Sequence, residues 1–183
     1  SQNDYLSEVL LSNTSREFIE IRDLFNKTVT NKVLNIWRIQ NTYLWKNYCL
    51  SKYQLNQKGN CTELRLFHGT STTDPKLIYS AKEEGFDMRF AKMGLHGTGI
   101  YFHKNSKYSN DYSYVTTRNT KMMFCADVLI GDCVTLPGDR NIRLPPFKNN
   151  SKIRYDSVKS NIDEIYIIYN NLRAYPSYLI EYQ

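Results

Sequence analysis

Three short segments of this chain carry the residues that could do chemistry. The first is His68, which stands at the end of the apolar run 64–67 and is followed by Gly69 and Thr70. A glycine at the end of a strand lets backbone donors and acceptors approach a ligand closely, because no Cβ is in the way. The segment is a candidate ligand clamp, although a single histidine after a strand more often has a structural role.

The other two segments are a glycine-rich turn and a short polar stretch behind it. Residues 94–100 form the turn and lead into Tyr101 and Phe102, and Ser109 and Tyr112 follow 8 and 11 residues after Tyr101. Glycine-rich turns are usually only tight loops, and tyrosines usually pack half-buried with their hydroxyl groups toward water. Each segment alone is therefore a weak signal, and their combination carries the information.

The elements that must position these residues can be predicted from hydrophobic spacing. Thr14 and Glu17 form a capping-box pattern at the start of an amphipathic helix over residues 14–28. A short strand at 33–39 and a second helix at 41–55 follow. Asp74 and Pro75 suit the start of a further helix, and a shorter helix is expected near 106–114.

Beyond Asn60 the pattern changes to short strands separated by turns, which predicts a mixed or antiparallel sheet and an α+β fold. The expected strands cover residues 64–67, 99–102, 122–129, 165–169 and 178–182. The strands and helices do not alternate regularly and no GxGxxG motif is present, so a Rossmann domain is not expected.

Bulk composition limits the class of protein. The 183 residues are 41% hydrophobic, which suits one domain with one sizeable core, and no apolar run approaches the roughly 20 residues of a membrane span. We therefore expect no membrane association and no signal segment. The four cysteines show neither CxxC nor metal-ligand spacing, so reduced thiols, an intracellular location and no metal are expected.

The net charge of +6 favours anionic partners through long-range attraction. The Lys and Arg residues are scattered singly along the sequence, and no basic stripe with interleaved aromatic residues is visible. An anionic small substrate therefore explains the charge as well as a nucleic acid does.

Taken together, the three segments resemble the PARP catalytic domain. In that family a strand ends in His-Gly-Ser/Thr, a Gly-x-Gly-x-Tyr-Phe turn follows, and a Ser and a second Tyr come 8 and 11 residues after the first Tyr. Both spacings are kept here. The matching residues are His68, Gly69, Thr70, Gly97, Gly99, Tyr101, Phe102, Ser109 and Tyr112, with Tyr155-Asp156-Ser157 and Tyr175-Pro176-x-Tyr178 further on.

The amino-terminal part is similar to the small mono-ADP-ribosyltransferases related to TIPARP. The resemblance covers nearly the whole chain. It implies an ADP-ribosyltransferase fold with a split mixed or antiparallel sheet and flanking helices. A single domain is then expected over 1–183, with amino-terminal helices (about 1–60) packed on a sheet core (about 61–183) and no room for a helical regulatory subdomain.

The resemblance also implies the donor, NAD+, and how it is held. The backbone of Gly69 and the hydroxyl of Ser109 would read the nicotinamide carboxamide by complementary hydrogen bonds. Tyr112 would stack on the nicotinamide ring and Tyr101 would form the opposite wall.

Further roles follow from the same resemblance. His68 would bond a ribose hydroxyl, Thr70 would sit near the adenosine side, and residues 85–93 would form a loop over the donor. The catalytic positions would be His68, Tyr101 and Ile165, and no metal is involved.

Ile165 is where the sequence departs from the poly-forming members. Those members carry a Glu on the strand before the last, and alignment on Tyr169 and Tyr178 places Ile165 at that position. Glu164 is adjacent, but strand side chains alternate between faces, so it should point away from the pocket. The resemblance therefore implies transfer of one ADP-ribose unit to a protein side chain, and no elongation.

Two other functions stay open at the level of sequence. A catalytically silent module of the same fold that binds protein or RNA is disfavoured because His68, Tyr101, Ser109 and Tyr112 are all retained. An enzyme that modifies RNA ends should carry clustered basic residues for a phosphate, and none are evident. The expected partners are NAD+ and protein acceptors, with nucleic acid possible through domains outside these residues.

Overall fold

The computed structural model describes residues 4–183. The strands are β1 (Leu6–Leu10), β2 (Val33–Asn41), β3 (Glu63–His68), β4 (Met93–Gly94), β5 (Gly97–Thr98), β6 (Ile100–His103), β7 (Tyr114–Val115), β8 (Lys121–Leu129), β9 (Cys133–Leu136), β10 (Ser157–Ser160), β11 (Ile165–Ile168) and β12 (Ala174–Tyr182). The helices are α1 (Arg16–Asn26), α2 (Thr42–Gln57), α3 (Pro75–Tyr79) and α4 (Ser106–Asn110), with 3-10 turns at Met88–Phe90 and Asn171–Arg173.

One mixed sheet organises the described part of the chain. Its order is β1-β2-β12-β8-β3-β6-β11-β10-β9, with β7 paired to β8, and β4 and β5 form a separate hairpin. The pair β9 and β10 is parallel, whereas the other paired strands are antiparallel. The predicted α+β class and mixed sheet are confirmed.

The sheet is weakly joined between β3 and β6. These two strands share a single register pair, Phe67 with His103, whereas β3 and β8 pair over six residues. Beyond Phe67 the two strands part, and His68 and Gly69 lie on one side of the opening with Tyr101 on the other. The sheet is therefore split where the three sequence segments meet.

The two faces of the sheet are covered by different elements. Phe18, Ile21 and Phe25 of α1 pack on the face that carries Phe67 and Ile180. The opposite face is covered by Tyr79 of α3 and by the loop residue Phe86, which pack against Leu66, Phe102 and Phe124. Helix α2 adds a smaller cluster at the other end of the sheet.

Helix boundaries follow the capping side chains. The cap of α1 is Ser15, whose hydroxyl accepts the Phe18 N–H at 3.2 Å, so the predicted cap at Thr14 is one residue early. Asn41 caps α2 and Asp74 caps α3, the latter with Pro75 in the first turn as expected. Helix α4 ends at Asn110, so Tyr112 lies just beyond the helix and not on it.

The amino-terminal region is more than a set of helices packed on the sheet. Strand β2 pairs with β12, and β1 extends the sheet by one further strand. Within residues 4–183, no helix combines the length and the apolar character needed to cross a membrane.

Candidate active site

His68 is held in one tautomer by a backbone carbonyl. Its Nδ1 lies 2.7 Å from the carbonyl oxygen of Tyr101, and because a carbonyl only accepts, Nδ1 carries the proton. Burial lowers the pKa of His68, while this hydrogen bond raises it in part. The imidazole is therefore neutral near pH 7, and Nε2 is an acceptor with no partner among residues 4–183.

The bond to His68 leaves the backbone of Gly69 unused. The register of Phe67 with His103 places Gly69 opposite Tyr101, yet the Tyr101 carbonyl accepts from the His68 ring. In residues 4–183 neither the N–H nor the C=O of Gly69 takes part in a hydrogen bond. Gly69 thus presents a donor and an acceptor side by side at the opening between β3 and β6.

Only glycine fits at position 69. A Cβ there would lie 2.4 Å from the carbonyl oxygen of Tyr112 and 2.7 Å from that of Ser109. Both contacts are with backbone atoms, which cannot rotate out of the way as a side chain can. The segment after α4 therefore packs directly on the Gly69 backbone, and Ser71 N–H donates to the same Tyr112 carbonyl at 2.6 Å.

Ser109 and Tyr112 flank this exposed backbone. Ser109 is 4% exposed, and its hydroxyl makes no hydrogen bond within residues 4–183 although its carbonyl accepts from Ser113. Tyr112 is 51% exposed, so about half of its surface is accessible to a ligand. Helix α4 is fixed from below by the Ser106 hydroxyl, which donates to the Phe25 carbonyl at 2.5 Å.

Tyr101 is locked by the glycine-rich turn. Its hydroxyl accepts from the His96 N–H at 2.9 Å and donates to the Gly97 carbonyl at 2.8 Å. The ring lies against Gly94, where a Cβ would come within 2.5 Å of Cζ. Tyr101 is therefore a rigid wall. Its hydroxyl contacts position the glycine-rich turn, and its backbone carbonyl positions the His68 ring.

Ile165 lies on the same face of the sheet as Tyr101. It is 7% exposed and belongs to an apolar cluster with Ile167, Tyr101 and Tyr108. Glu164 points to the other face: its carboxylate accepts from the Tyr166 hydroxyl at 3.2 Å and pairs with Lys159. The wall beside Tyr101 is thus apolar at Ile165, the position at which the poly-forming members carry a glutamate.

Thr70 and the loop at 85–93 both lie beside His68, and their contacts differ. The hydroxyl of Thr70 donates to the Thr73 carbonyl at 2.6 Å and is committed to the turn that follows the clamp. In the loop, Phe86 is buried and meets the His68 ring edge-on with centroids 5.1 Å apart. Phe90 is 80% exposed at the tip, so the loop is anchored beside His68 and free at its apex.

The sequence prediction did not include Tyr108 or the His103 ring that lies beneath it. Tyr108 lies 5.6 Å from Tyr112, ring centroid to centroid, and stacks on His103 at 4.7 Å with an interplanar angle of 14°. Burial, then the neighbouring Tyr112 hydroxyl, raise the pKa of Tyr108 to about 12, so it stays protonated. The only sequence signal for Tyr108 was its position directly before Ser109 on a helix. That position does not distinguish a residue of the pocket wall from a surface residue.

The His103 ring beneath Tyr108 is fixed from two sides. Its Nδ1 accepts the Asn105 N–H at 2.7 Å, and Nε2 lies 3.1 Å from Oδ1 of Asp163, although its N–H is not aimed at that oxygen. Among residues 4–183, no group of three or more His, Cys, Asp or Glu side chains is arranged to hold a metal ion. The side chains described at the site are hydrogen-bonding groups and aromatic rings, with the apolar Ile165 beside them.

The fold is an α+β domain whose candidate site joins free backbone groups, a histidine and tyrosine rings, and comparison with known proteins gives its family. The model of the Poly(ADP-ribose) polymerase catalytic domain matches residues 15–146. The chain belongs to the PARP catalytic domain family.

Several named relatives align over almost the whole chain. A probable poly [ADP-ribose] polymerase of Dictyostelium discoideum is 38% identical over 96% of this chain and 52% of its own length. The protein mono-ADP-ribosyltransferase PARP12 of Mus musculus is 35% identical over 96% of this chain and 25% of its own length. PARP11 of Mus musculus, also a protein mono-ADP-ribosyltransferase, is 32% identical over 95% of this chain. The chain thus spans about half of the Dictyostelium relative and a quarter of PARP12.

Proposed function

We propose that this chain transfers a single ADP-ribose unit from NAD+ to a protein side chain and releases nicotinamide. The observation that carries the proposal is the unused backbone of Gly69, packed against the segment that carries the unpartnered hydroxyl of Ser109 and the half-exposed Tyr112. A polar group near a folded core is normally paired, so three free groups on two segments in contact indicate a ligand that pairs with them.

A primary carboxamide on an aromatic ring has the matching set of groups. Its NH2 donates to the Gly69 carbonyl, and its oxygen accepts from the Gly69 N–H and the Ser109 hydroxyl. The nicotinamide ring then lies against Tyr112, whose π face favours the positively charged ring of NAD+ over a neutral one. These contacts hold the nicotinamide leaving group in place and so orient the bond that is cleaved.

His68 completes the hold on the donor. With Nδ1–H bound to the Tyr101 carbonyl, the unprotonated Nε2 accepts a hydrogen bond from a hydroxyl of the nicotinamide ribose. During the reaction the bond between the ribose C1′ and the nicotinamide nitrogen breaks, and its electron pair leaves with neutral nicotinamide. The acceptor nucleophile then bonds to C1′ and its proton passes to solvent.

The length of the product is set beside Tyr101. The name of the Dictyostelium relative gives a probable polymerase, whereas the names of the two mouse relatives give mono-ADP-ribosyltransferases. Elongation requires a base that draws a proton from a ribose hydroxyl of the ADP-ribose already attached. Ile165 cannot do this, and Glu164 is held on the opposite face by Lys159 and Tyr166.

Labelled NAD+ tests the proposal directly. The chain is incubated with NAD+ labelled in the adenine and with a mixture of acidic and basic proteins, and both nicotinamide release and protein-bound label are measured. We expect label on protein together with nicotinamide release, and loss of both in Tyr112→Ala. Release without protein label would indicate a hydrolase, and no release would contradict the proposal.

We also propose that the whole protein is intracellular and that domains outside this chain select its acceptor proteins. The four cysteines are free thiols, which supports an intracellular location because reducing compartments keep thiols unpaired. The aligned relatives extend well beyond the matched region, so additional domains are expected to select the targets.

A further inference from the structure

We propose that residues 139–154, here called the basic hairpin, form a docking surface for an acidic polypeptide segment that also carries apolar side chains. Binding itself does not depend on catalysis. That the docked polypeptide serves as the ADP-ribose acceptor rests on the proposed function.

The first observation is charge. The basic hairpin contains five Lys and Arg residues and one acidic residue, so it holds +4 of the chain's net charge of +6. Lys148 pairs with Asp132, but Arg140, Arg143, Lys152 and Arg154 have no acidic partner within residues 4–183. The expectation from the sequence that basic residues are not clustered is therefore wrong for this segment, whose four unneutralised cations attract an anionic partner.

The second observation is exposed apolar surface on the same projection. Leu144 is 53% exposed, Phe147 51% and Ile153 60%. The hairpin is nevertheless ordered by its own backbone: Lys148 N–H donates to the Ile153 carbonyl at 2.8 Å, and Phe147 bridges Arg154. Large apolar side chains that a folded hairpin holds toward solvent are typical of an interaction surface.

The apolar residues favour a polypeptide over a nucleic acid. Single-stranded nucleic acids bind on open aromatic faces that stack with bases. Phe147 is the aromatic residue at the exposed end, and the Arg154 guanidinium already covers its ring at 3.9 Å. Leu144 and Ile153 are aliphatic and cannot stack with bases. They can pack against the apolar side chains of a peptide in which apolar residues lie between acidic ones.

The base of the hairpin is attached to the candidate active site. The Ile142 carbonyl accepts the Thr98 N–H at 3.3 Å, and the Ile142 side chain packs in the cluster that contains Tyr101 and Ile165. On the other side of the glycine-rich turn, Leu95 packs on Gly138. A segment bound along the hairpin therefore passes close to the apolar wall at which transfer is proposed.

Fluorescence anisotropy tests the surface without catalysis. The probes are a fluorescein-labelled peptide of repeated Glu-Leu pairs, a polyglutamate of equal charge, a Lys-Leu peptide, and a polyuridine oligonucleotide. The test variant is Arg140→Glu with Lys152→Glu. The control is Lys32→Glu with Lys46→Glu, which changes the net charge equally at exposed positions outside the hairpin.

We expect the affinity for the Glu-Leu peptide to fall at least about fivefold in the hairpin variant and less than about twofold in the control. The reason is that salt screens the charge of a substituted side chain beyond a Debye length. Ile153→Ser should weaken Glu-Leu binding and leave polyglutamate binding unchanged. Equal losses in both double variants would reduce the effect to net charge and overturn the proposal. So would tighter binding of polyuridine that is lost in the hairpin variant, or no Glu-Leu binding at all.

The fold of each variant is checked with 3-aminobenzamide, which is expected to stabilise all of them through the Gly69 region. Absent peptide binding with intact benzamide stabilisation rejects the docking surface alone. Absent benzamide stabilisation in the unmodified chain rejects the proposed function instead.

Discussion

Gly69→Ala is the sharpest test of how the donor is held. The added methyl group would lie 2.4 Å from the Tyr112 carbonyl oxygen, 2.5 Å from its carbon and 2.7 Å from the Ser109 carbonyl oxygen. Real Cβ atoms are essentially never closer than 3.0 Å to such atoms, so the backbone after α4 must retreat by at least 0.6 Å. The helix that carries Ser109 and the ring of Tyr112 must move with it.

This shift displaces the groups that are proposed to orient the donor. Displacing groups that orient a reacting molecule by about 1 Å costs on the order of a hundredfold in rate. We therefore expect Gly69→Ala to lower transfer from NAD+ by about ten- to a hundredfold and to abolish stabilisation by 3-aminobenzamide. Transfer is measured as protein-bound label and stabilisation as the shift in melting temperature.

Gly59→Ala is the matched control. A Cβ at Gly59 meets nothing within 4 Å, but the residue has a φ of +94°. The substitution should cost about 1 kcal/mol of stability through backbone strain and leave transfer and benzamide binding unchanged. If Gly69→Ala keeps full transfer and the full benzamide shift, the carboxamide is not read at Gly69 and the reasoning is wrong.

Three further predictions concern pH, a buried ion pair and the apolar wall. Burial lowers the pKa of His68 in the folded state below that of the unfolded chain, so the unfolded state gains a proton first as pH drops; the melting temperature should therefore fall below about pH 6.5, with a weaker fall in His68→Gln, whereas the transfer rate should fall only at the lower pH where folded His68 is itself protonated. Asp156→Ala removes the 3.0 Å ion pair with the largely buried Arg173 and should lower the free energy of unfolding in urea by about 3 kcal/mol; no change would mean that the pair contributes nothing. Ile165→Glu should not create a polymerase, because a carboxylate in an apolar wall tends to be protonated; polymer formed by this variant would show that one carboxylate suffices.

The sequence singled out the residues that meet at this opening because their types and spacing are unusual. A His-Gly pair after a strand, a glycine-rich turn and a Ser and Tyr at fixed distances are local patterns, and the structure brings them to one opening in the sheet. The strands with strong apolar runs, such as β8 and β12, were predicted for the same reason, since burial on both faces leaves a continuous hydrophobic signal.

Elements whose identity depends on distant partners were missed. Strand β10 contains Ser157 and Lys159, and it is a strand because it pairs with β9 and β11. Strand β1 alternates poorly and is specified by β2. The cap at Ser15 could not be separated from one at Thr14, because adjacent hydroxyl residues satisfy the same pattern.

The pocket wall was only partly visible in the sequence. Tyr108 takes its role from stacking on His103, a contact between α4 and the end of β6 that no local pattern encodes. The free backbone of Gly69 is likewise a tertiary effect, since it arises when the His68 ring takes the Tyr101 carbonyl that a strand partner would otherwise use.

Product length measured on the intact chain tests the central claim most directly. The unmodified protein is incubated for a long period with excess NAD+ and an acceptor protein, and the products are resolved by gel and by intact mass. With Ile165 in the wall and Glu164 held by Lys159, each modified site should gain the mass of one ADP-ribose and no more. A ladder of polymer would contradict the account and would place Glu164 at the catalytic position.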